Sequence, residues 1–277
     1  MKLSISTLGC PGWSLEQAAA FLHDCGVEGI EIRGIGGELE PTKMACLAQG
    51  HLSATHAVLK KYKLTPVCLG TSVAMHRDGD NVTRALEDAK VCAAAGIPAI
   101  RIFGNNLPSD SAERSIKLRS ISNDIARLCR EAGPLGIGVW LETHGDINTP
   151  QTLSKIIEAC GDLPNFGLIW DVAHTFTSHY RNIELILNEI YPYVRHVHFK
   201  DQVVTPGGKV RICLPGRGEI PLVNILEALA ERGYTGYYSF EWEKLWHPEI
   251  EAPEVAFPYF VNYINSLYEK IRNGGRM

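Results

Sequence analysis

Residues 196–201 read HVHFKD, and the alternation through this stretch decides the fold. Val197 and Phe199 are apolar, whereas His196, His198 and Lys200 are not. Successive side chains of a strand point to opposite faces. One face is therefore fit for packing against helices, and the other carries groups that do chemistry. A strand of this kind belongs in a barrel whose axis is lined by polar residues.

The flanking sequence repeats the pattern. IGVWLE (137–142), with Thr143 and His144 after it, places Val139 and Leu141 outward and Trp140, Glu142 and His144 inward. FGLIWD (166–171) places Leu168 and Trp170 outward, with Ile169 and Asp171 inward. GYYSFEWE (236–243) places Tyr238 and Phe240 outward, with Ser239, Glu241 and Glu243 inward. Four consecutive strands thus end on an inward acid or histidine: Glu142, Asp171, His198 and Glu241.

Further strands are expected at 2–7, 28–33, 64–72 and 99–104. Helices are expected from Ser14, over about 51–62, 80–95 and 112–132, from Thr149–Pro150, and over about 181–190, 221–232 and 252–271. Ser14 followed by Gln17 is a capping box, and Gly96 with Pro98 is a stop signal. Parallel strands need crossover connections, so eight strand–helix units predict a single (β/α)8 TIM-barrel domain over 1–277, frayed from about 272. A doubly wound open sheet is the alternative, but RGIGGE after the second strand is not its dinucleotide fingerprint. The segment VVTPGGKVRICLPGRGE (203–219) reads as a Gly/Pro-rich loop.

Composition excludes other classes. The net charge of −4 argues against nucleic acid, whose affinity comes from neutralised phosphates. No apolar run reaches the roughly 20 residues of a membrane span. The N-terminal MKLSISTLGC reads as a strand and turn, not as a signal peptide. Eight cysteines without a C-x-x-C pair read as free thiols in a reducing cytoplasm.

In such barrels chemistry sits at the C-terminal ends of the strands. Three carboxylates aimed at one small volume repel one another unless a cation neutralises them. Each could pair separately with a lysine or arginine, but four successive strand ends favour one shared ion. Three oxygen donors and an imidazole suit one divalent ion: Mn2+ first, with Mg2+, Co2+ or Zn2+ as alternatives. His196, one layer deeper, is expected to be a hydrogen-bonded core histidine. His56 reads as a surface or packing residue, His76 as a loop residue beside the pocket, and Asp201 as a turn residue.

LETH (141–144), WDVAH (170–174), HVHFKD (196–201) and SFEWE (239–243) resemble the four metal-bearing strand ends of the xylose-isomerase-like barrel superfamily, the sugar phosphate isomerases and epimerases. The resemblance runs over essentially the whole chain. It implies a metal, often manganese, on Glu142, Asp171, His198 and Glu241. It also implies a keto-sugar or related polyol substrate, an enediolate intermediate, and proton transfer by Glu142 and Glu241. A metal-bound carboxylate is a weak base, however, so His144 is a further candidate base. LETH, HFK and IRIF (100–103) also resemble the 3-dehydroshikimate dehydratases, which implies a lyase as the alternative. Lys200, Arg101, Arg217 and His174 are the expected substrate contacts. An apurinic-endonuclease reading lacks the extra histidines. The expected partners are a small sugar-like molecule and, at most, further copies of the chain in a homo-oligomer; neither nucleic acid nor membrane is expected.

Overall fold

The computed structural model describes residues 1–178 and 182–273. Strands β1 (Lys2–Ser6), β2 (Gly29–Ile32), β3 (Thr65–Ala74), β4 (Ala99–Phe103), β5 (Gly138–Glu142), β6 (Phe166–Asp171) and β7 (Val194–Phe199) pair in sequence order. An antiparallel hairpin follows, β8 (Asp201–Val204) with β9 (Val210–Cys213). Strand β10 (Tyr237–Phe240) then pairs in parallel with both β7 and β1 and closes an eight-stranded barrel. Around it run α1 (Leu15–Asp24), α2 (Leu52–Lys61), α3 (Asn81–Ala95), α4 (Ser111–Ala132), α5 (Pro150–Cys160), α6 (Val172–Ser178), α7 (Ile183–Ile190), α8 (Leu222–Glu231) and α9 (Pro253–Arg272). This is the (β/α)8 architecture that the alternation predicts.

The facing of the side chains follows the same logic. Val139, Leu141, Leu168, Trp170, Val197, Phe199, Tyr238 and Phe240 join the large apolar core between strands and helices. Cys68, Ala99 and Ile169 form a separate small cluster inside the barrel, with Trp140 packed against it. The Trp140 ring stacks on His196 at 6.0 Å. Full burial of a large aliphatic or aromatic side chain contributes about 1.5–3 kcal/mol, so the outward face holds the barrel in register. The helix signals act as expected: Ser14 and Gln17 form a reciprocal capping box, Thr149 caps α5 with Pro150 in the first turn, and Gly96 ends α3 at φ 69°.

Several boundaries differ from the expectation. Strand β3 runs on to Ala74, and β10 stops at Phe240, so Glu241 and Glu243 lie just past the strand. The loop expected at 203–219 contains most of the β8–β9 hairpin, because VV and VRIC pair across a Thr-Pro-Gly-Gly-Lys turn. Helix α6 was not expected; Asp171 starts it by accepting the backbone N–H groups of Ala173 and His174, both at 2.9 Å. The helix expected from 181 begins at Ile183, residue 181 itself lying outside the described residues, as does most of the tail expected to fray. Asp201 is more than a turn residue. It is buried, and its carboxylate accepts backbone N–H groups from Gln202, Gly216, Gly218 and Ile220 at 2.8–3.1 Å. His56 is exposed and bonds the Ala95 carbonyl, as a packing residue would. The eight cysteines are free, and no helix among the described residues is long and apolar enough to cross a membrane.

One acid on the helix layer has a folding consequence. Asp88, on α3, is buried, and its carboxyl is pushed up from 3.8 to about 7 by burial and by Glu40, against the pull of Arg84. The folded state therefore holds this proton more tightly than the unfolded chain does. The residue leaves stability untouched below the unfolded value and subtracts from it increasingly as pH rises towards the folded one. Asp88→Asn should raise unfolding free energy at about pH 8, by up to about 1.4 kcal/mol for each unit of the shift, and leave it unchanged near pH 3.5. Urea unfolding of both proteins at the two pH values measures this.

Candidate active site

The barrel register brings the four strand-end residues together. Asp171 pairs laterally with His198, and His198 with Ser239, two residues before Glu241. Glu142 ends β5 beside β6. One donor atom from each of Glu142, Asp171, His198 and Glu241 lies within 4.8 Å of the others, and all four residues are buried. His198 Nδ1 is 3.5 Å from Glu241 Oε1 and 3.8 Å from Glu142 Oε2. His198 Nδ1 is buried with no hydrogen bond among the described residues, and Asp171 Oδ2 faces the Lys200 ammonium at 2.8 Å.

A residue missed in the sequence orients this histidine. Glu31 on β2 is fully buried, and its Oε2 accepts from His198 Nε2 at 3.0 Å, His196 Nε2 at 2.8 Å and Ser239 Oγ at 3.1 Å. Burial pushes the Glu31 carboxyl up, but His198 and His196 overcome it and hold it well below the usual carboxylate range. With Nε2 donating to an ionised carboxylate, Nδ1 of His198 is the nitrogen that faces the acids. The signal was available: in GIEIR, Ile30 and Ile32 face out, so Glu31 and Arg33 face in. His196 is the hydrogen-bonded core histidine that was expected; burial pushes its imidazole down despite Glu31.

Two cations answer the acids. Arg101 Nη1 lies 2.7 Å from Glu142 Oε2 and 3.6 Å from Glu241 Oε1, and Nη2 donates to the Thr71 carbonyl at 2.9 Å. Lys200 Nζ lies 2.8 Å from Asp171, 2.7 Å from Glu241 and 2.5 Å from Glu243. Burial opposes charge on Lys200, yet these acids hold its ammonium well above the usual lysine value. Glu241 is likewise held well below the carboxylate range, burial being outweighed by Lys200, His198 and Arg101. Five carboxylates (Glu31, Glu142, Asp171, Glu241 and Glu243) thus face two ion-paired cations, and the centre keeps an excess of negative charge. His198 responds: against burial, Glu31 and Glu241 push its imidazole well above the usual value.

Above this layer opens a cavity of about 470 Å³. Arg33, Arg101, Phe103, Glu142, His144, His174, Lys200 and Glu241 are among its lining residues. His144 Nδ1 lies 2.7 Å from Asn105 Oδ1. An amide oxygen only accepts, so Nδ1 carries the hydrogen and Nε2 is the basic nitrogen. Asn105 has φ 52°, and a Cβ on Gly145 would lie 3.2 Å from Asn105 Cα. The loops after β4 and β5 therefore meet backbone to backbone, which fixes Asn105 against His144. The His144 ring meets His174 edge-on at 4.2 Å and Phe103 at 4.9 Å. Burial, with Lys200 and His144 nearby, pushes His174 down to about 3 despite Asp171, so it is neutral.

Of the expected substrate contacts, Lys200, Arg101 and His174 line the cavity and Arg217 does not. Arg217 is exposed and its guanidinium lies over the Tyr259 ring at 5.4 Å. The cause is Asp201, which ties down the backbone on both sides of Arg217. His76 is also outside the lining. Asn105 carried no motif in the sequence, because loop packing places it; Arg33 was readable from strand parity, and Phe103 ends the IRIF stretch.

The family described as xylose isomerase-like TIM barrel matches residues 19–256. An inosose dehydratase of Geobacillus thermodenitrificans (strain NG80-2) is 27% identical over 127 residues, which span 41% of this chain and only 40% of that protein. The probable 3-DHS dehydratase AsbF of Bacillus anthracis superposes with a TM-score of 0.77 at 16% identity, covering 96% of this chain and 99% of that one. An L-ribulose 3-epimerase gives 0.77 at 18% identity, covering 99% and 97%. The IOLI protein with a bound zinc atom gives 0.75 at 19% identity, covering 98% and 99%. These structural likenesses show the fold.

The buried Arg101–Glu142 contact should matter to stability as a pair. Removing one partner of a buried ion pair strands the other's charge and costs about 3–5 kcal/mol. Arg101→Met should show a loss of this size in urea unfolding, whereas a change below about 1 kcal/mol would mean that the pair is dispensable.

Proposed function

The chain belongs to the xylose isomerase-like TIM-barrel family, and from that premise we propose that it is a divalent-metal-dependent enzyme that enolises a keto-sugar or related polyol derivative. The observation that carries this reading is the convergence of Glu142, Asp171, His198 and Glu241 within 4.8 Å beside a histidine whose Nε2 is left as the basic nitrogen. The residues fit an ion by their chemistry. His198 Nδ1 is buried without a hydrogen bond among the described residues, Asp171 Oδ2 meets the Lys200 ammonium, and the surrounding acids exceed their cations. Three carboxylates and an imidazole suit Mn2+, with Mg2+, Co2+ or Zn2+ as alternatives. When bound, the ion supplies Lewis-acid stabilisation of the oxyanion that develops on the substrate.

The chain's own residues divide the remaining work. His144 takes the proton from the carbon next to the carbonyl, because Asn105 keeps its other nitrogen protonated. Glu241, held well below the carboxylate range by Lys200, His198 and Arg101, is a weak base, and Glu142 is engaged by Arg101 at 2.7 Å. Isomerisation follows if His144 returns its proton to the neighbouring carbon, and epimerisation if Glu241 first takes up a proton from solvent and delivers it to the other face. Arg101, Lys200 and neutral His174 present donors to the substrate oxygens. A second reading is dehydration, in which a hydroxyl leaves the enolised substrate as water. The tight hold of Lys200 on Glu241 at 2.7 Å favours it, since an ion-paired carboxylate is a poor proton carrier. A small-molecule substrate in the cytoplasm fits the eight unpaired cysteines.

Purified protein should carry one divalent ion by elemental analysis, and Asp171→Asn should lose it. Glu31→Gln should weaken metal binding about 10–100-fold, as loss of the group that orients a ligating histidine does. Binding of equal strength in all three proteins would remove the ion from this site. For the chemistry, metal-loaded protein should exchange a substrate C–H with deuterated water across a panel of keto-sugars and cyclic keto-polyols. His144→Asn should slow exchange about 10²–10⁴-fold while metal is retained. Undiminished exchange in that variant would return the proton transfer to the glutamates, and the NMR spectrum of the product separates epimerisation from water loss.

A further inference from the structure

The most telling unused group in the cavity is Arg33. It follows β2, faces inward two residues after Glu31, and is only 5% exposed. Its Nη2 donates to Ser72 Oγ at 3.1 Å. Its Nη1 is buried, has no hydrogen-bond partner among the described residues, and belongs to a side chain that lines the cavity. Arg101 and Lys200 are matched to carboxylates at ion-pair distance, but no ion pair of Arg33 is formed among the described residues. A buried charge without a contact partner costs several kcal/mol, so its retention calls for a compensating ligand.

The surroundings are built to hold this guanidinium in place. Thr7 Oγ1 accepts the Arg33 backbone N–H at 2.8 Å and donates to the Gly34 carbonyl at 2.7 Å. Its aliphatic stem lies against Gly70 of β3, where a Cβ would come within 2.6 Å of Arg33 Cδ. A glycine at that position leaves the stem the room it occupies. Burial and the neighbouring Arg101 push the Arg33 value down to about 10, which leaves it cationic at neutral pH. Glu241, Glu142 and Glu31 keep it within their field without touching it.

We propose that Arg33 forms an anion subsite for a carboxylate on the substrate, so that the enzyme acts on a sugar acid or cyclic polyol acid rather than on a neutral keto-sugar. The inference rests on the enolisation reading for which end of the substrate reacts. Arg33 holds the carboxylate on the β2–β3 side, and the reacting carbon faces Glu142, His144 and Glu241. The group is a carboxylate and not a phosphate ester. A single free Nη1 suits a planar monoanion, and a dianion would meet Glu40, Glu142, Glu241 and Glu243 around a cavity to which Arg77 adds one further cation at the rim. A cavity of about 470 Å³ is large enough for a six-carbon acid with its water.

The test compares D-glucuronate with D-glucuronamide, which differ in charge and hardly in shape, by isothermal titration calorimetry on metal-loaded protein. The acid should bind about ten- to a hundredfold more tightly than the amide, the range of a charge-assisted hydrogen bond. Arg33→Gln should bring the two within about twofold, and Arg33→Lys should keep part of the preference. Equal binding of acid and amide by the native protein, binding of neither, or a preference that survives in Arg33→Gln overturns the subsite. The comparison in the native protein stands even if a variant fails to fold. An acid preference without any C–H exchange would leave the subsite in place and count against enolisation alone.

Discussion

Crowding of buried carboxylates at one end of the barrel is the constraint on which the rest of this structure depends. Glu31, Glu142, Asp171 and Glu241 are almost wholly excluded from water and lie side by side. An isolated carboxylate in such a place would neutralise itself by taking up a proton. Here each is instead held by donors: imidazoles on Glu31, a guanidinium on Glu142, an ammonium on Asp171 and Glu241. The centre is therefore a lattice of mutually dependent charges, and a change at one group is felt at all the others.

That lattice exists because the barrel supplies two incompatible environments on alternate residues. Outward positions on β5, β6, β7 and β10 are aliphatic or aromatic and lock onto the helices. Inward positions start with a small apolar plug, Cys68, Ala99, Ile169 and Trp140, and become ionic towards the mouth. The plug excludes water from beneath the charges, which strengthens every electrostatic contact above it. The loops then add what the strands cannot. Asn105 and Gly145 meet across two loops and fix the orientation of His144, and Asp201 folds the segment after the hairpin back onto the barrel.

The probable 3-DHS dehydratase AsbF and the L-ribulose 3-epimerase share the barrel fold with this chain. Proton removal beside a carbonyl needs a base and a stabilised oxyanion, and both come from the strand ends. Under the proposed enolisation, the fate of the substrate would depend on which groups stand around the cavity walls. In this chain those walls carry Arg33, Arg77, Arg101, Lys200, His144 and His174 beside Glu40, Glu142, Glu241 and Glu243.

Much of this was legible in the sequence, for a definite reason. Strand parity is a local property, so HVHFKD, LETH, WDVAH and SFEWE by themselves assigned Glu142, Asp171, His198 and Glu241 to the interior, and eight alternating units implied closure. The same parity would have found Glu31 and Arg33 in GIEIR had it been applied there. The partners of these groups were not legible, because contacts between residues 31 and 198, 105 and 144, or 200 and 241 depend on barrel closure and loop packing. Arg217 shows the limit most plainly: a cation in a Gly-rich turn near the site, carried away from it by backbone bonds to Asp201. Local alternation determined which side chains face the axis; only the tertiary structure decided which of them meet, because hydrogen bonds act over a few ångströms in space and ignore distance along the chain.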